Sequence, residues 1–436
     1  MEPAHFVRRG SVFSGPNRLG GAQGTETLRF AKIANPALLT ARASPSIAAT
    51  GTGRAMAAQR SIFEEVGGDA TEARKAVSKG MIDKGGSAGA RRGLRLWLIL
   101  LGVLVVTMIL VGGLTRLTDS GLSITEWDLV MGSLPPMGEA DWAAAFAKYQ
   151  ETPEFRLVNS AMTLDEFKGI FWWEWGHRFL GRIVGLIWIG GFLGFLAARK
   201  IPAGWTQRLV VIGVLIGLQG AVGWWMVHSG LQGEMTDVAS YRLATHLGLA
   251  FVILGLIAWA VLQLARREAD LLQARRLRER ALWGMGTGLM HLAFVQILLG
   301  ALVAGIDAGR SYTDWPLMAG QVFPPYAFDI TPAWRNFFEN PGLVQFIHRI
   351  VGYLLVLFAL GAMIRARKAG ARATRTAFWL AGGMVVLQMV LGIVTVLNGA
   401  FLHVAITHQL GAIFTWLLIL NARFHAGYPQ PQSLRG

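Results

Sequence analysis

The stretch LWLILLGVLVVTMILVGGLT, residues 96–115, is twenty residues long and carries no charge. About twenty apolar residues are needed to cross the core of a bilayer as a helix. Seven further apolar stretches follow it, and none contains proline. The eight predicted spans are roughly 95–116, 169–197, 208–228, 241–265, 282–306, 342–364, 376–398 and 401–422. Because the stretches are continuous rather than alternating, they predict helices and not barrel strands, and the fold class is an all-α integral membrane protein.

The composition of the whole chain agrees with this fold class. Of the 436 residues, 53% are hydrophobic and 15% are charged, whereas a soluble domain is about one-quarter charged. The net charge of +15 divides between the N-terminal segment and the loops on one side of the membrane. It therefore orients the protein and does not indicate a nucleic-acid partner. The chain has no cysteine, which excludes disulfides, iron–sulfur clusters and thiolate metal sites.

Loop charge predicts the orientation in the membrane. The connections between spans 4 and 5 and between spans 6 and 7 are rich in arginine, whereas the long connection between spans 1 and 2 is acidic. Since basic loops stay in the cytoplasm, both termini are predicted inside and the long 1–2 and 5–6 loops outside. The predicted location is a bacterial inner membrane, with the mitochondrial inner membrane as the alternative.

The ends of the chain differ in composition from the membrane body. Residues 1–92 are rich in Ala, Gly, Ser and Arg and contain no apolar stretch that would bury a core, so disorder is predicted there. An Arg-rich, acid-poor start also fits a transit peptide, or a chain whose true start lies further on. The membrane body divides into residues 93–266 and 280–424, and residues 425–436 form a tail.

The second half of the membrane body repeats motifs of the first. DSGLSITEWDLVMG from Asp119 matches DAGRSYTDWPLMAG from Asp307 at a shift of 188. The pairs HRFLGR/HRIVGY, LQGAVG/LQMVLG and ATHLG/ITHQLG begin at His177 and His348, Leu218 and Leu387, and Ala244 and Ile406. Each half has an even number of spans, so the two halves share one orientation. The repeat therefore predicts two tandem four-helix bundles related by a pseudo-twofold axis along the membrane normal.

The repeat separates four of the nine histidines from the rest. His177 pairs with His348, and His246 pairs with His408. A single histidine in an apolar helix is more often a packing residue, but two at one depth on two helices of a bundle can hold a flat ligand. With no thiol or repeated carboxylate beside them, zinc or copper is poorly supplied with ligands. Ligation of heme iron by two imidazoles fits better, because the porphyrin supplies four ligands itself.

The other histidines are interpreted as structural or incidental; they are His5, His228, His291, His403 and His425. Arg178 and Arg349 directly follow the histidines of spans 2 and 6. They are predicted to meet the heme propionates or, as the alternative, to bridge to groups of the loops.

One residue breaks the symmetry between the halves. Glu174 stands three residues before His177, whereas the matching residue before His348 is Gln345. Residues at i and i+3 share a helix face, so Glu174 is predicted to lie beside the ligand of the first half. A carboxylate inside a membrane marks function by default. Proton exchange with a reacting group is one interpretation, and an ion pair with Arg178 is the other.

Several motifs together resemble those of the heme A synthases. They are GGLTRLTDSGLS from Gly112, EFKGIFWWEWGHR from Glu166, the paired Thr-His segments and VQFIHR from Val344. The resemblance covers about residues 95–422 and implies a heme-modifying membrane oxidoreductase. In that family heme O is oxidised at its C8 methyl, by successive hydroxylations, to the formyl group of heme A for cytochrome oxidase assembly. Some members carry cysteine pairs in their loops; this chain is similar to the cysteine-free proteobacterial and mitochondrial branch.

The resemblance also implies a division of labour between the halves. The substrate, heme O, would lie between His177 and His246, and a heme b cofactor between His348 and His408, with Glu174 as the catalytic residue. The implied partners are a heme O synthase, cytochrome oxidase assembly factors, a redox partner that the sequence does not identify, and the lipid bilayer. The exposed apolar belt also permits a homo-oligomer.

Two other functions compete with this interpretation. A di-heme electron carrier shares the four histidines but gives no reason for the difference between Glu174 and Gln345. A transporter with a parallel repeat would predict broken helices at the repeat interface, and no predicted span is interrupted by proline.

Overall fold

The computed structural model describes residues 88–128, 132, 134–233 and 235–430. Eight helices in these residues are long and apolar enough to cross a membrane. The spans are Ala88–Leu117, Leu164–Ala197, Thr206–Gly230, Ser240–Leu264, Arg280–Gly305, Pro341–Ala366, Arg372–Leu397 and Leu402–Gly427. They are called spans 1 to 8 below. No strand occurs in the described ranges, so the predicted all-α membrane fold is confirmed.

The remaining helices are short and lie in the connections. The 1–2 loop contains Glu139–Gln150 and Pro153–Leu157, and the 4–5 loop contains Glu268–Arg276. The 5–6 loop contains Ala308–Ser311 and Asn336–Glu339. The side of the protein that carries the 1–2 and 5–6 loops is called the loop side below.

Local sequence signals determine where several spans begin. Span 2 starts with a capping box, in which Glu166 Oε2 accepts a hydrogen bond from the Thr163 backbone N–H at 2.8 Å. Span 6 starts with Asn340, whose side chain accepts a hydrogen bond from the Leu343 N–H at 2.9 Å, followed by Pro341 in the first turn. Both caps lie on the loop side, at the start of spans 2 and 6, which carry His177 and His348.

Two ends of the membrane body differ from the sequence prediction. Span 1 begins at Ala88, so residues 88–92, predicted to be disordered, are helical. The Arg91 guanidinium donates to the backbone carbonyls of Gln263 and Arg266 at the end of span 4, which supports the extra turn. Residues 1–87 lie outside the described residues.

The other difference is at the end of span 8, which continues to Gly427. Residues 425–427, predicted to belong to the tail, are therefore helical. The Thr374 hydroxyl of span 7 donates to the His425 carbonyl at 3.2 Å, and the Glu279 N–H donates to the Ala426 carbonyl at 3.0 Å. Neighbouring elements thus satisfy the carbonyls of this last turn.

The spans of each half pack on one another, and the halves meet through spans 1, 4, 5 and 8. One continuous core runs through both halves, and its fully buried side chains include Leu98, Leu101, Phe251 and Leu289. Lipid provides no hydrophobic driving force for helices to associate, so small residues are favoured where helices pack closely. Gly255 of span 4 is one such residue and faces the indole of Trp416 in span 8. The pseudo-twofold relation between the halves stays a prediction.

On the loop side, one arginine joins the ends of spans 1 and 5. Arg116 donates to Asp119 at 2.6 Å and to Asp307 at 2.8 Å, and Asp237 lies 3.7 Å away. Asp119 and Asp307 are the paired first residues of the repeated motif, and both adopt a left-handed backbone with φ of 49°. Aspartate tolerates this conformation better than most residues do. In each half, the repeated motif therefore begins with a turn that ends the preceding helix, span 1 or span 5. Arg116 holds these two turns together.

Candidate functional site

Each of the four paired histidines faces a glycine of a neighbouring span. A methyl group placed on Gly112 would lie 3.0 Å from His177 Nε2, and one on Gly300 would lie 3.1 Å from the His348 ring. Gly112 and Gly300 stand at matching positions, at the repeat shift of 188.

The same arrangement recurs at the other two histidines. A methyl group on Gly223 would lie 2.9 Å from the His246 ring, and one on Gly392 would lie 3.0 Å from the His408 ring. Gly223 and Gly392 are also a matching pair. Larger side chains at these four positions would fill the space beside the imidazoles, so each half keeps open the volume that a flat ligand between helices requires.

The two histidines of the first half are spaced for a shared ligand. The ring centres of His177 and His246 are 6.4 Å apart, with 62° between the ring planes. A metal–imidazole bond of about 2 Å on each side of one ion puts two ring centres roughly 6 Å apart. In the second half, His348 and His408 lie close enough to interact electrostatically. The structure therefore brings together both predicted pairs.

Glutamines of the odd-numbered spans contact three of the four histidines. Gln219 Nε2 lies 3.2 Å from His246 Nε2, and Gln388 Nε2 lies 3.2 Å from His408 Nδ1. Each amide also donates to the backbone carbonyl of its histidine, at 3.0 Å and 2.8 Å respectively. Gln219 and Gln388 stand at matching positions of the repeat.

The third glutamine serves the other histidine of the second half. Gln296 Nε2 lies 3.1 Å from His348 Nδ1 and donates to the His348 carbonyl at 3.0 Å. The side-chain oxygens of Gln219, Gln296 and Gln388 are buried and have no partner. Each amide nitrogen contacts the imidazole and also donates to the carbonyl of the same histidine, and outer-shell contacts of this kind orient a ligating histidine. The donor set and the glycine-lined space both fit bis-histidine heme sites.

A carboxylate occupies the loop side of the first pair. Glu174 is 3% exposed. One carboxylate oxygen accepts hydrogen bonds from the Ser123 hydroxyl at 2.7 Å and the Ile124 N–H at 2.8 Å. The other oxygen accepts from Arg178 at 2.6 Å, which is the ion pair anticipated as the alternative. Glu174 thus joins span 2 to the repeated motif that follows span 1.

Gln345 occupies the corresponding place in the second half. Its amide donates to the Ala308 carbonyl at 3.0 Å and the Tyr312 carbonyl at 3.1 Å, and its oxygen accepts from Arg349 at 3.1 Å. The amide therefore replaces the carboxylate in holding the loop. The two halves share an architecture but differ in the ability of this group to exchange a proton.

Arg178 and Arg349 hold the loops above the two pairs. Arg178 donates to the backbone carbonyls of Ile124 at 2.9 Å and Glu126 at 2.8 Å. Arg349 donates to the carbonyls of Leu317, Tyr312 and Asp314, at 3.0 to 3.2 Å. Each arginine keeps a buried Nε–H without a partner, which is a donor available to an anionic group.

The histidines without a repeat partner in the membrane body make local contacts. His228 stacks on Trp224 with ring centres 5.2 Å apart. His291 Nδ1 lies 2.9 Å from the Thr287 carbonyl one turn earlier. The structural or incidental role of these histidines stays a prediction.

Sequence reasoning missed the four glycines, the three glutamines and one further carboxylate. The four glycines and the pair Gln219 and Gln388 recur at matching positions, so comparing the halves residue by residue offered a signal, whereas Gln296 matches Met108. The carboxylate, Glu154, has no counterpart in the repeat and lies in the helix Pro153–Leu157 of the 1–2 loop. It is 6% exposed, and burial together with the nearby charges of Asp237 and Glu174 raises the pKa of its carboxyl to about 8.

We expect Glu154→Gln to weaken the dependence of stability on pH. The folded protein holds a proton on Glu154 between the ordinary carboxyl pKa of 4.5 and about 8, whereas the unfolded chain releases it. Stability therefore falls as pH rises through this window, and the amide removes that loss. In thermal unfolding of detergent-solubilised protein, the variant should exceed the wild type by a few degrees in Tm at pH 9 and match it at pH 4.

Glu151→Gln is the matched control, because Glu151 is exposed on the same loop. It should leave the pH profile unchanged. Parallel profiles for wild type and Glu154→Gln would contradict the raised pKa.

Known proteins resemble this chain over the whole membrane body. A family model described as COX15-CtaA, cytochrome oxidase assembly protein, matches residues 95–420. The heme A synthase of Ruegeria pomeroyi is 62% identical over 383 residues, covering 87% of this chain and 100% of the relative. That of Paracoccus denitrificans is 59% identical over 379 residues, covering 87% and 99%. That of Cereibacter sphaeroides is 56% identical over 386 residues, covering 86% and 98%.

Proposed function

The chain belongs to the COX15-CtaA family of cytochrome oxidase assembly proteins, and on this premise we propose how its two histidine pairs divide the work. It is a bacterial membrane enzyme that converts heme O to heme A. We assign the substrate to the first half, between His177 and His246, and a heme b cofactor to the second half, between His348 and His408. When bound, heme b supplies electron transfer to or from an outside partner.

One observation carries this assignment: the loop side of the first pair has a carboxylate, and that of the second has an amide. Oxidation of a methyl group to a formyl group removes protons and electrons and adds oxygen, so a proton-exchanging group is needed beside the substrate. Glu174 supplies such a group, and Gln345 does not. A di-heme electron carrier gives no reason for this difference and is not favoured.

The surrounding residues support Glu174 in that role. Three donors hold its two oxygens, so its position is set before substrate binds. The Ser123 hydroxyl donates to the carboxylate and so helps to orient it, without itself exchanging the proton. The buried, unpaired Nε–H of Arg178 would be available to a propionate of the bound heme. Arg349 offers the equivalent contact in the second half.

Location and partners follow from loop charge and from the reaction. The arginine-rich 4–5 and 6–7 loops support an inner membrane location with both termini in the cytoplasm. Heme O must come from a heme O synthase in the same membrane, and the product serves cytochrome oxidase assembly. The redox partner would approach on the loop side, where both sites lie nearest to water.

A co-expression experiment tests the proposed function. The full chain is expressed in a host without heme A, with and without a heme O synthase, and the extracted hemes are separated by chromatography. Heme A is expected only in the combined strain, and heme b in the purified protein from both strains. Only heme b under both conditions would overturn the proposal.

A further inference from the structure

In the described part of the chain no glutamine contacts His177, whereas each of the other three paired histidines is contacted by one. The residue that matches Gln296 at the shift of 188 is Met108. The two side chains occupy equivalent places: Gln296 Nε2 faces Gly352, four residues after His348, and Met108 Cε faces Gly181, four residues after His177. A thioether methyl thus stands where the second half has an amide.

This difference changes how firmly the histidine is held. The Gln296 amide contacts the His348 ring and donates to the His348 carbonyl, which restrains the ring, and loss of such an outer-shell partner typically costs about 10–100-fold in metal affinity. A thioether has no N–H, so Met108 cannot donate either hydrogen bond to His177. The His177 ring is therefore less restrained than those of His246, His348 and His408.

The same half is also more open toward the lipid. Spans 2 and 3 touch each other much less than the corresponding spans 6 and 7. In the most apolar 18 residues of each span, 6% are buried in spans 2 and 3, whereas 17% are buried in spans 6 and 7.

Residue size at two matching positions differs in the same direction. Span 7 presents Val386 and Met389, which pack on the central core, whereas span 3 has Gly217 and Gly220 at the matching positions. A methyl group on either glycine would meet nothing within 4 Å. The space lies within two turns of Gly223, which faces His246.

We propose that the first site is built for exchange and the second for retention. His177 is the ligand that dissociates from the heme iron. The heme then passes between spans 2 and 3, whose gap suits the isoprenoid chain of heme O. This inference rests on the proposed function, because only an enzyme that releases its product needs one exchangeable heme site. The second site, with both histidines contacted by glutamines and spans 6 and 7 closed, retains its heme.

Heme transfer to a protein acceptor tests the proposal. The full chain, co-expressed with a heme O synthase, is purified and mixed with excess apomyoglobin, and the hemes remaining are separated by chromatography over time. Hemes O and A are expected to leave at least about tenfold faster than heme b. Met108→Gln should slow their loss about tenfold, and Gln296→Met should accelerate the loss of heme b by a similar factor.

Further variants separate the ligand effect from the opening and from misfolding. Met108→Leu adds no polar contact and should release heme at the wild-type rate. The double variant Gly217→Val, Gly220→Met closes the gap with the residues of span 7 and should slow release of hemes O and A only. Equal release rates for all hemes in the wild type, or no slowing in both Met108→Gln and the double variant, would overturn the proposal.

The starting heme content distinguishes this failure from failure of the proposed function. If hemes O and A are bound at time zero but leave no faster than heme b, only the exchange proposal is wrong. If neither heme is bound or formed in the presence of the synthase, the proposed function fails and the exchange proposal fails with it.

Discussion

Replacing Glu174 with glutamine should reduce heme A formation by about 10²- to 10⁴-fold, the range lost when a positioned acid or base is removed. The amide oxygen can still accept from Ser123 and Ile124, and although the ion pair with Arg178 is lost, Arg178 keeps its hydrogen bonds to the loop carbonyls, so the loop above His177 should stay in place. It cannot exchange the proton that a carboxylate exchanges. The variant should therefore accumulate bound heme O and retain heme b, as measured by chromatography of extracted hemes.

Two further variants distinguish proton exchange from a role in holding the loop. Ser123→Ala removes one hydrogen bond from the carboxylate and leaves its charge, so it should lower activity much less than Glu174→Gln. Gln345→Glu places a carboxylate in the second half and should not restore heme A formation to Glu174→Gln. Full heme A accumulation in Glu174→Gln would refute the catalytic assignment, and loss of all bound heme would show that Glu174 serves binding instead.

The second large effect is expected at the histidine pairs, because we propose that each pair binds a different heme. His348→Ala or His408→Ala should remove heme b from the purified protein and abolish heme A formation. His177→Ala or His246→Ala should leave heme b in place and eliminate bound hemes O and A. Both outcomes follow from losing one of only two protein ligands to an iron. Pyridine hemochrome spectra and heme chromatography on the same samples measure them.

His403→Ala is the matched control for these four variants. His403 lies on an exposed face of span 8, one turn before Thr407, and has no histidine partner in the repeat. It should retain both hemes and full activity. The assignment of the halves would be reversed if His177→Ala lost heme b while His348→Ala kept it.

Much of the fold followed from the sequence because a bilayer leaves few alternatives. Backbone groups in lipid must be bonded within the segment, so continuous apolar stretches of the length of residues 96–115 become helices whatever their neighbours. The exact residues at which the first span begins and the last span ends were less predictable. The extra turn at Ala88 depends on Arg91 reaching carbonyls of span 4, and the one at Gly427 depends on Thr374 of span 7.

Repetition distinguished the four paired histidines from the others, and its breakdown at Glu174 marked the difference between the halves. The partners of these residues were not visible in the same way. Arg178 follows His177 in the chain, but its hydrogen bonds to Ile124 and Glu126 depend on how the 1–2 loop returns over span 2. Nothing in the sequence distinguishes Glu154 from the other carboxylates of the 1–2 loop, and its burial is visible only in the folded structure.

By itself, the sequence determined the eight spans, the two histidine pairs and the single carboxylate that distinguishes the halves. Those features are encoded in hydrophobic length and in residue identity at a fixed repeat. Only the tertiary structure decided that each histidine faces a glycine, that three are contacted by glutamines and that Met108 takes the place of the fourth. The physical reason is that these contacts join residues of different helices, whose rotation and separation depend on the packing of the whole bundle.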